Sequence, residues 1–240
     1  MSLIVCLCPT FRRPSALLRN TVACFEAQTY PADQRRLLVL DDAGQWPEQS
    51  GPGWQVLSTP DRYPTISAKY NAMVTMSPDA DAFVVWDDDD VYLPWHLEAH
   101  AAALAEGPWS HPSTVWSLYG KLHQEGAAGR FHGSLAVRRE ALEQVGGWPD
   151  TRDATFDQQL LGSLARQFGP PGDPCRVMAP SYVFRWGSTH SYHAQHFMGK
   201  SDWYERAGRV VVRQPGGMIH PQLDAETAGL MTRLTVPNYR

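Results

Sequence analysis

A doubly wound α/β fold with a mainly parallel sheet is the architecture that this 240-residue chain predicts. Three observations carry the prediction. Short apolar runs alternate with helically spaced segments over the first hundred residues, the unit pattern of strands joined by crossover helices. Two of those runs end in aspartates, at the strand ends where such sheets collect ligands. Beyond about residue 107 the alternation gives way to more mixed segments, so the second half departs from the simple repeat.

The elements follow in order. Leu3 to Cys8 is a continuous apolar run stopped by Pro9, and Pro14 to Gln28 then spaces Leu17, Leu18, Thr21, Val22 and Phe25 as a helix does. Arg36 to Leu40 reads as a second strand running into Asp41-Asp42-Ala43-Gly44, and Trp54 to Leu57 as a weaker third. Thr65 to Met76 has Ile66, Tyr70, Met73 and Val74 on one helical face. Ala82 to Trp86 is the clearest buried strand and terminates in Asp87-Asp88-Asp89-Asp90. Leu93 to Glu106 is alanine-rich and helical, with Pro94 tolerated in its first turn. Thr114 to Tyr119, Arg130 to Arg138 and Arg176 to Trp186 read as strands, Ala154 to Phe168 as a helix, and Ala225 to Arg233 as a short helix in a Pro- and Gly-rich tail.

Composition narrows the function. Hydrophobic residues are 43%, charged residues 19%, and Gly and Pro number 19 each, which excludes disorder, collagen-like repeats and coiled coil. The formal charge of -4 with no Lys/Arg block argues against a general nucleic-acid binder. Cys6, Cys8, Cys24 and Cys175 form no CxxC pair and read as small core residues of a reducing compartment. The first residues lack a basic n-region and a long apolar stretch, and no run of about 18 apolar residues occurs. A soluble, cytoplasmic protein without an integral membrane segment is the expectation.

The tetra-aspartate is the strongest chemical signal. Residues leaving a strand alternate in direction, so Asp87 and Asp89 share one side and Asp88 and Asp90 the other. Two carboxylates about 4 Å apart repel by about 4 kcal/mol at an effective dielectric near 20, and a hard divalent ion such as Mg²⁺ or Mn²⁺ answers that repulsion. A solvated acidic turn is the plainer alternative. Asp41-Asp42 closes the second strand on the same rim, either as a turn cap or as an acceptor for a base N–H or ribose hydroxyls.

These pieces resemble the inverting family 2 glycosyltransferases of GT-A fold over roughly residues 3 to 190. The resemblance rests on Cys8-Pro9-Thr10-Phe11-Arg12-Arg13, Gln28-Thr29-Tyr30-Pro31, Leu38-Val39-Leu40-Asp41-Asp42, Ala68-Lys69-Tyr70-Asn71, the DXD-type stretch Trp86 to Pro94, and Gly146-Gly147-Trp148. It implies one GT-A domain over 1-240, with a nucleotide-binding half (1-106), an acceptor-side half (107-213) and a C-terminal extension (214-240). Pro9, Thr10 and Arg12 would line the nucleotide pocket, Asp41 and Asp42 would sit at the nucleoside with Asp42 on the base, and Lys69 would lie near the base or diphosphate. Asp87 and Asp88 would lie near ribose and metal, and Asp89 would ligate Mn²⁺ or Mg²⁺.

The resemblance places the catalytic base at Asp157, in Thr155-Phe156-Asp157-Gln158. Phe156 stands where the family carries a preceding acid, which leaves Asp150 and Asp153 as competitors. The activity implied is transfer of one sugar from a UDP- or GDP-linked donor to a carbohydrate or other hydroxyl acceptor. Tyr182-Val183-Phe184-Arg185-Trp186 lacks the Gln of processive members, which favours single transfer. A metal ligand from the C-terminal region would be His190 or His193; these and His196 are equally a solvated loop. His96 and His100, with Glu98 out of place for a zincin motif, read as packed or surface histidines. Trp148, Trp186 and Trp203 fall in or after the acceptor-side half, where sugar stacking and ordinary packing are both open. Two alternatives remain: a GT-A domain that binds nucleotide or sugar without catalysis, and a nucleotidyltransferase, which the absence of a Gly-rich phosphate loop disfavours.

Overall fold

The computed structural model describes residues 2–186 and 217–234. A seven-stranded sheet forms the centre. Its strands are β1 (Ile4–Thr10), β2 (Arg35–Asp41), β3 (Gln49–Gly51), β4 (Trp54–Ser58), β5 (Ala82–Val85), β7 (Trp109–Ser110) and β10 (Ala136–Arg138), in the order β3-β4-β2-β1-β5-β10-β7. The pairs β4/β2, β2/β1 and β1/β5 are parallel, and the outer pairs are antiparallel. Helices α1 (Ser15–Glu26), α2 (Ile66–Thr75), α3 (His96–Glu106), α4 (Arg139–Gln144), α5 (Phe156–Phe168) and α6 (Ala225–Leu234) flank the strands.

Because β1 is central, both of its faces are apolar. Ile4, Cys6 and Cys8 enter one core with Leu18, Val22 and Phe25 of α1, and Val5 and Leu7 enter a second with Tyr70 and Met73 of α2. The two cysteines thus serve as small core residues. Thr65 caps α2 by accepting from the Ala68 amide at 3.0 Å, and Gly169, at φ +80, ends α5. Gln28 accepts from the Leu97 amide at 3.0 Å and donates to the carbonyls of Cys24 and Leu93, so the Gln28-Thr29 segment fastens α1 to the start of α3.

Four expectations change. A second sheet of β6 (Val91–Tyr92), β11 (Tyr182–Arg185), β8 (Thr114–Tyr119) and β9 (Lys121–Gly126), in the order β6-β11-β8-β9, accompanies the first. The segment Arg130 to Arg138 is a strand only from Ala136: Ala128, Gly129 and Phe131 take positive φ, and a 3-10 turn covers His132–Ser134. Likewise the segment Arg176 to Trp186 is a strand only at β11, and α3 begins at His96, because Pro94 lies in the turn before it.

Among the described residues, burial keeps four histidines neutral: His96, His100, His111 and His132. His96 and His100 pair with Ser181 and Ser110, each at 2.9 Å, which is packing rather than a zincin arrangement. Desolvation brings His100 and His132 down to about 3. An unfolded histidine binds its proton below about 6.5, so between that pH and about 3 the unfolded state holds more protons, and each such group erodes stability as pH falls. The buried aspartates described below act in the opposite sense, so a variant isolates the effect. Urea unfolding of His100→Gln between pH 6.5 and 4.5 should show stability rising less, or falling more, with pH than wild type, by up to about 1.4 kcal/mol per unit. An unchanged slope would mean that His100 titrates normally.

Candidate active site

The strand order reverses between β1 and β5, since β1 continues to β2 on one side and β4 returns to β5 on the other. A crevice outside the carboxyl ends of these two strands is where open α/β sheets bind ligands. Thr10 ends β1 there, and the aspartate turn follows β5 beside it.

In that turn the four carboxylates divide by environment. Asp88 accepts from the Thr10 hydroxyl at 2.7 Å and pairs with Arg13 Nε at 2.9 Å. Asp90 accepts from the Tyr182 hydroxyl and, at 2.8 Å, from the Arg185 amide. Both are buried. Asp87 and Asp89 are half-buried with looser partners: Tyr70 Oη lies 3.4 Å from Asp87 Oδ1, and Arg13 Nη2 lies 3.4 Å from Asp89 Oδ2. The expected division, Asp87 with Asp89 and Asp88 with Asp90, does not hold, because residues 88–90 form a turn rather than an extended strand: Asp88 and Asp89 share Arg13, whereas Asp90 lies with Tyr182 and Arg185. Gly133 backs the turn, where a Cβ would overlap Asp87 Oδ2 and lie 2.6 Å from the Tyr182 hydroxyl.

Desolvation, then repulsion from Asp90, Asp89 and Asp88, pushes the Asp87 carboxyl well up; Asp89 rises through desolvation against the opposing pull of Arg13; Asp90 rises to about 8, chiefly through burial. Arg13 and Arg185 do not offset four carboxylates, and the excess negative charge suits a cation. Among the described residues no group of three or more His, Cys, Asp or Glu is placed to hold a metal. A divalent ion here would take Asp89, with Asp87 beside it, and complete its shell with water and ligand oxygens, as Mg²⁺ and Mn²⁺ do. His190, His193, His196 and Trp203 lie outside the described residues.

On the β2 side, Asp41 and Asp42 part ways. Asp41 accepts from the amides of Ala43, Gln45 and Trp46 and from the Ser58 hydroxyl, so its carboxylate is committed to shaping its own turn. Asp42 pairs with Lys69 Nζ at 2.6 Å and accepts from the Tyr63 amide at 3.1 Å. Lys69 also donates to the Thr10 carbonyl at 2.6 Å. Lys69 is buried, which lowers its pKa against the pull of Asp42, and it ties the loop after β1 to the loop after β2. Arg12, at φ +50, lies over the Phe11 ring at 5.0 Å, and Arg62 lies over the same ring at 3.9 Å. Pro9 and Thr10 end β1 at the crevice.

The Gly146-Gly147-Trp148 turn docks on α2. Asn71 exchanges two 2.9 Å hydrogen bonds with the Trp148 backbone, and Gly147 lets the turn approach, since a Cβ there would lie 2.6 Å from Asn71 Oδ1. Trp148 stacks on Tyr70 with centroids 4.7 Å apart and donates to His132 Nε2 at 2.9 Å; His132 meets Phe156 edge-on at 5.4 Å. A chain of aromatic contacts thus runs from Asp87 through Tyr70 and His132 to the first residue of α5, one before Asp157. Asp157 is half-buried and accepts from the Gln158 amide at 2.8 Å. Asp153 is exposed and caps the Thr155 amide at 3.0 Å, while Asp150 Oδ1 lies 3.5 Å from the Thr65 hydroxyl.

Sequence reading gave no role at this site to Arg13, Tyr70, Asn71, Tyr92, Tyr182 and Arg185, although all six lie in stretches it singled out, and it passed over Gly133. Tyr92, five residues past Asp87, was the detectable one: its hydroxyl accepts from the Asp87 amide at 2.6 Å, and its ring stacks on Trp86.

Neither protein-family models nor curated protein sequences match the chain. Solved structures do. TarS of S. aureus is 12% identical with a TM-score of 0.57 over 86% of this chain, and the chain spans 42% of that protein's length. TarS 1-349 in complex with UDP-GlcNAc gives 13% identity, TM-score 0.59, and 87% and 65% of the two chains. Mannosyltransferase PcManGT from Pyrobaculum calidifontis, in complex with GDP-Man and Mn²⁺, gives 17% identity, TM-score 0.57, and 98% and 70%. The fold is that of GT-A-like glycosyltransferases.

Proposed function

We propose that this chain is a metal-dependent, inverting glycosyltransferase that moves one sugar from a UDP- or GDP-linked donor to a hydroxyl acceptor. The observation that carries the reading is the pair of half-buried, loosely partnered carboxylates, Asp87 and Asp89, at the switch point of a parallel sheet. The neighbours with UDP-GlcNAc, and with GDP-Man and Mn²⁺, support it by fold.

In this reading Asp89 holds a divalent ion, Mn²⁺ or Mg²⁺, which when bound supplies Lewis-acid stabilisation of charge on a departing diphosphate. Pro9, Thr10 and Arg12 border the nucleotide. Asp42 presents its remaining lone pairs to the nucleoside while Lys69 fixes its orientation, and Asp41 and Asp88 serve by shaping their loops. Asp157, in the first turn of α5, accepts the proton of the attacking hydroxyl, and a single displacement inverts the anomeric centre. The nucleotide half ends near residue 106 and the acceptor half follows. All four cysteines are free thiols, which fits a reducing, cytoplasmic setting, and no helix among the described residues is long and apolar enough to cross a membrane.

Calorimetric titration with UDP and with GDP, in Mn²⁺ and in chelator, tests the reading. Binding of one diphosphate that requires the metal is expected; no binding of either under both conditions would overturn it.

A further inference from the structure

Arg185 sits at the end of β11, beside Leu118 of β8, with a side chain only 10% exposed. Its backbone amide donates to Asp90 Oδ1 at 2.8 Å, and its Nε donates to the Asp89 backbone carbonyl at 2.6 Å, across 96 residues of sequence. The far side of the guanidinium faces acids at the start of α6, with Nη1 3.8 Å from Asp224 Oδ2 and 4.0 Å from Glu226 Oε2. Asp224 is itself a junction. It caps α6 by accepting from the Thr227 amide at 2.7 Å, and its own amide reaches Asn20 of α1 at 3.4 Å.

From this arrangement we infer that Arg185 is a positioning residue for the metal-bearing aspartate, and that the C-terminal helix holds Arg185 in place. The inference rests on the metal-dependent reading above. Asp89 can offer its carboxylate to an ion only while its backbone stays fixed, and Arg185 holds the turn at two consecutive residues, through the Asp89 carbonyl and the Asp90 carboxylate. A planar guanidinium can bond the Asp89 carbonyl through Nε and face α6 through Nη1 at once. A lysine ammonium, a single point donor, cannot reach both. The acids at α6 keep the guanidinium from swinging out of this geometry, so a segment remote in sequence supports the aspartate turn. Neither acid of α6 is offered as a ligand.

Arg185→Lys and Arg185→Met test the inference through two independent readouts. Mn²⁺ binding is followed by electron paramagnetic resonance with UDP or GDP present, and hydrogen exchange is followed at the Asp89 to Val91 amides. Loss of an outer-shell partner costs about 10–100-fold in metal affinity, so the Mn²⁺ dissociation constant should rise by that factor in both variants. Exchange at the three amides should quicken, while metal-free affinity for uridine or guanosine and the melting temperature hold. Asp224→Asn keeps the cap and removes the charge; it should weaken Mn²⁺ binding in the wild-type background and change nothing further in Arg185→Lys.

Arg185→Lys with wild-type Mn²⁺ affinity and exchange would overturn the inference, as would equal losses of metal, nucleoside and melting temperature. Should Arg185→Met not fold, Arg185→Lys decides. Faster exchange in a protein that binds no Mn²⁺ even as wild type would leave the positioning role standing and overturn the metal reading instead.

Discussion

Asp89→Ala should abolish Mn²⁺-dependent binding of the nucleoside diphosphate, a loss of at least about a hundredfold by comparison with the 10–100-fold that outer-shell changes cost. The variant is informative because Asp89 contributes little to the fold: its carboxylate makes one loose contact, 3.4 Å to Arg13, while its backbone carbonyl keeps the bond from Arg185. Removing one of four crowded carboxylates also relieves the repulsion that raises Asp87. The melting temperature of the metal-free protein should therefore hold or rise as metal binding disappears. Calorimetry with and without Mn²⁺, beside a thermal melt, reads both. Retained metal-dependent affinity would remove Asp89 from the site. Asp88→Asn makes the contrast, because it disturbs Thr10 and Arg13 and should lower the melting temperature.

Asp157→Asn should leave donor affinity nearly unchanged and cut kcat by at least about a hundredfold, since general-base assistance contributes about 10²–10⁴-fold. The aromatic contacts from Tyr70 through His132 to Phe156 hold the start of α5 against the floor of the site, which gives Asp157 a fixed place. Asp153→Asn and Asp150→Asn should be mild: the first is an exposed loop cap, and the second faces Thr65. Kinetics of the three variants with a working acceptor decide. An active Asp157→Asn beside an inactive Asp153→Asn moves the base four residues upstream, and three active variants mean that the proton leaves by another route.

The central strands were legible because parallel strands buried on both faces need unbroken apolar runs, and Ile4 to Cys8, Leu37 to Leu40 and Ala82 to Val85 are such runs. Of the second sheet, β8 and part of β11 were legible, but the sheet as a whole was not, because β6 has only two residues and β9 is polar along an edge. The acidic strand ends were legible, but not the environment of each carboxylate. Asp41 and Asp42 are adjacent and identical in type, and only the folded turn gives one of them four donors and the other a lysine. Gly133 is equally silent in sequence, since what makes it necessary is Asp87, 46 positions earlier.

Helix α2 spends three consecutive residues on three different parts of the site: Lys69 on Asp42 and the Thr10 carbonyl, Tyr70 on Asp87 and Trp148, Asn71 on the Trp148 backbone. Consecutive helical residues point about 100° apart, so these three fan out to reach the loops after β1 and β2, an aspartate and the Gly147-Trp148 turn. Slipping the helix by one residue would misdirect all three together, whereas the loop ahead of it, residues 59 to 64, carries no such phase. Insertions and deletions should therefore be absorbed before Arg62, ahead of the Tyr63 amide that Asp42 holds, and rejected after Thr65.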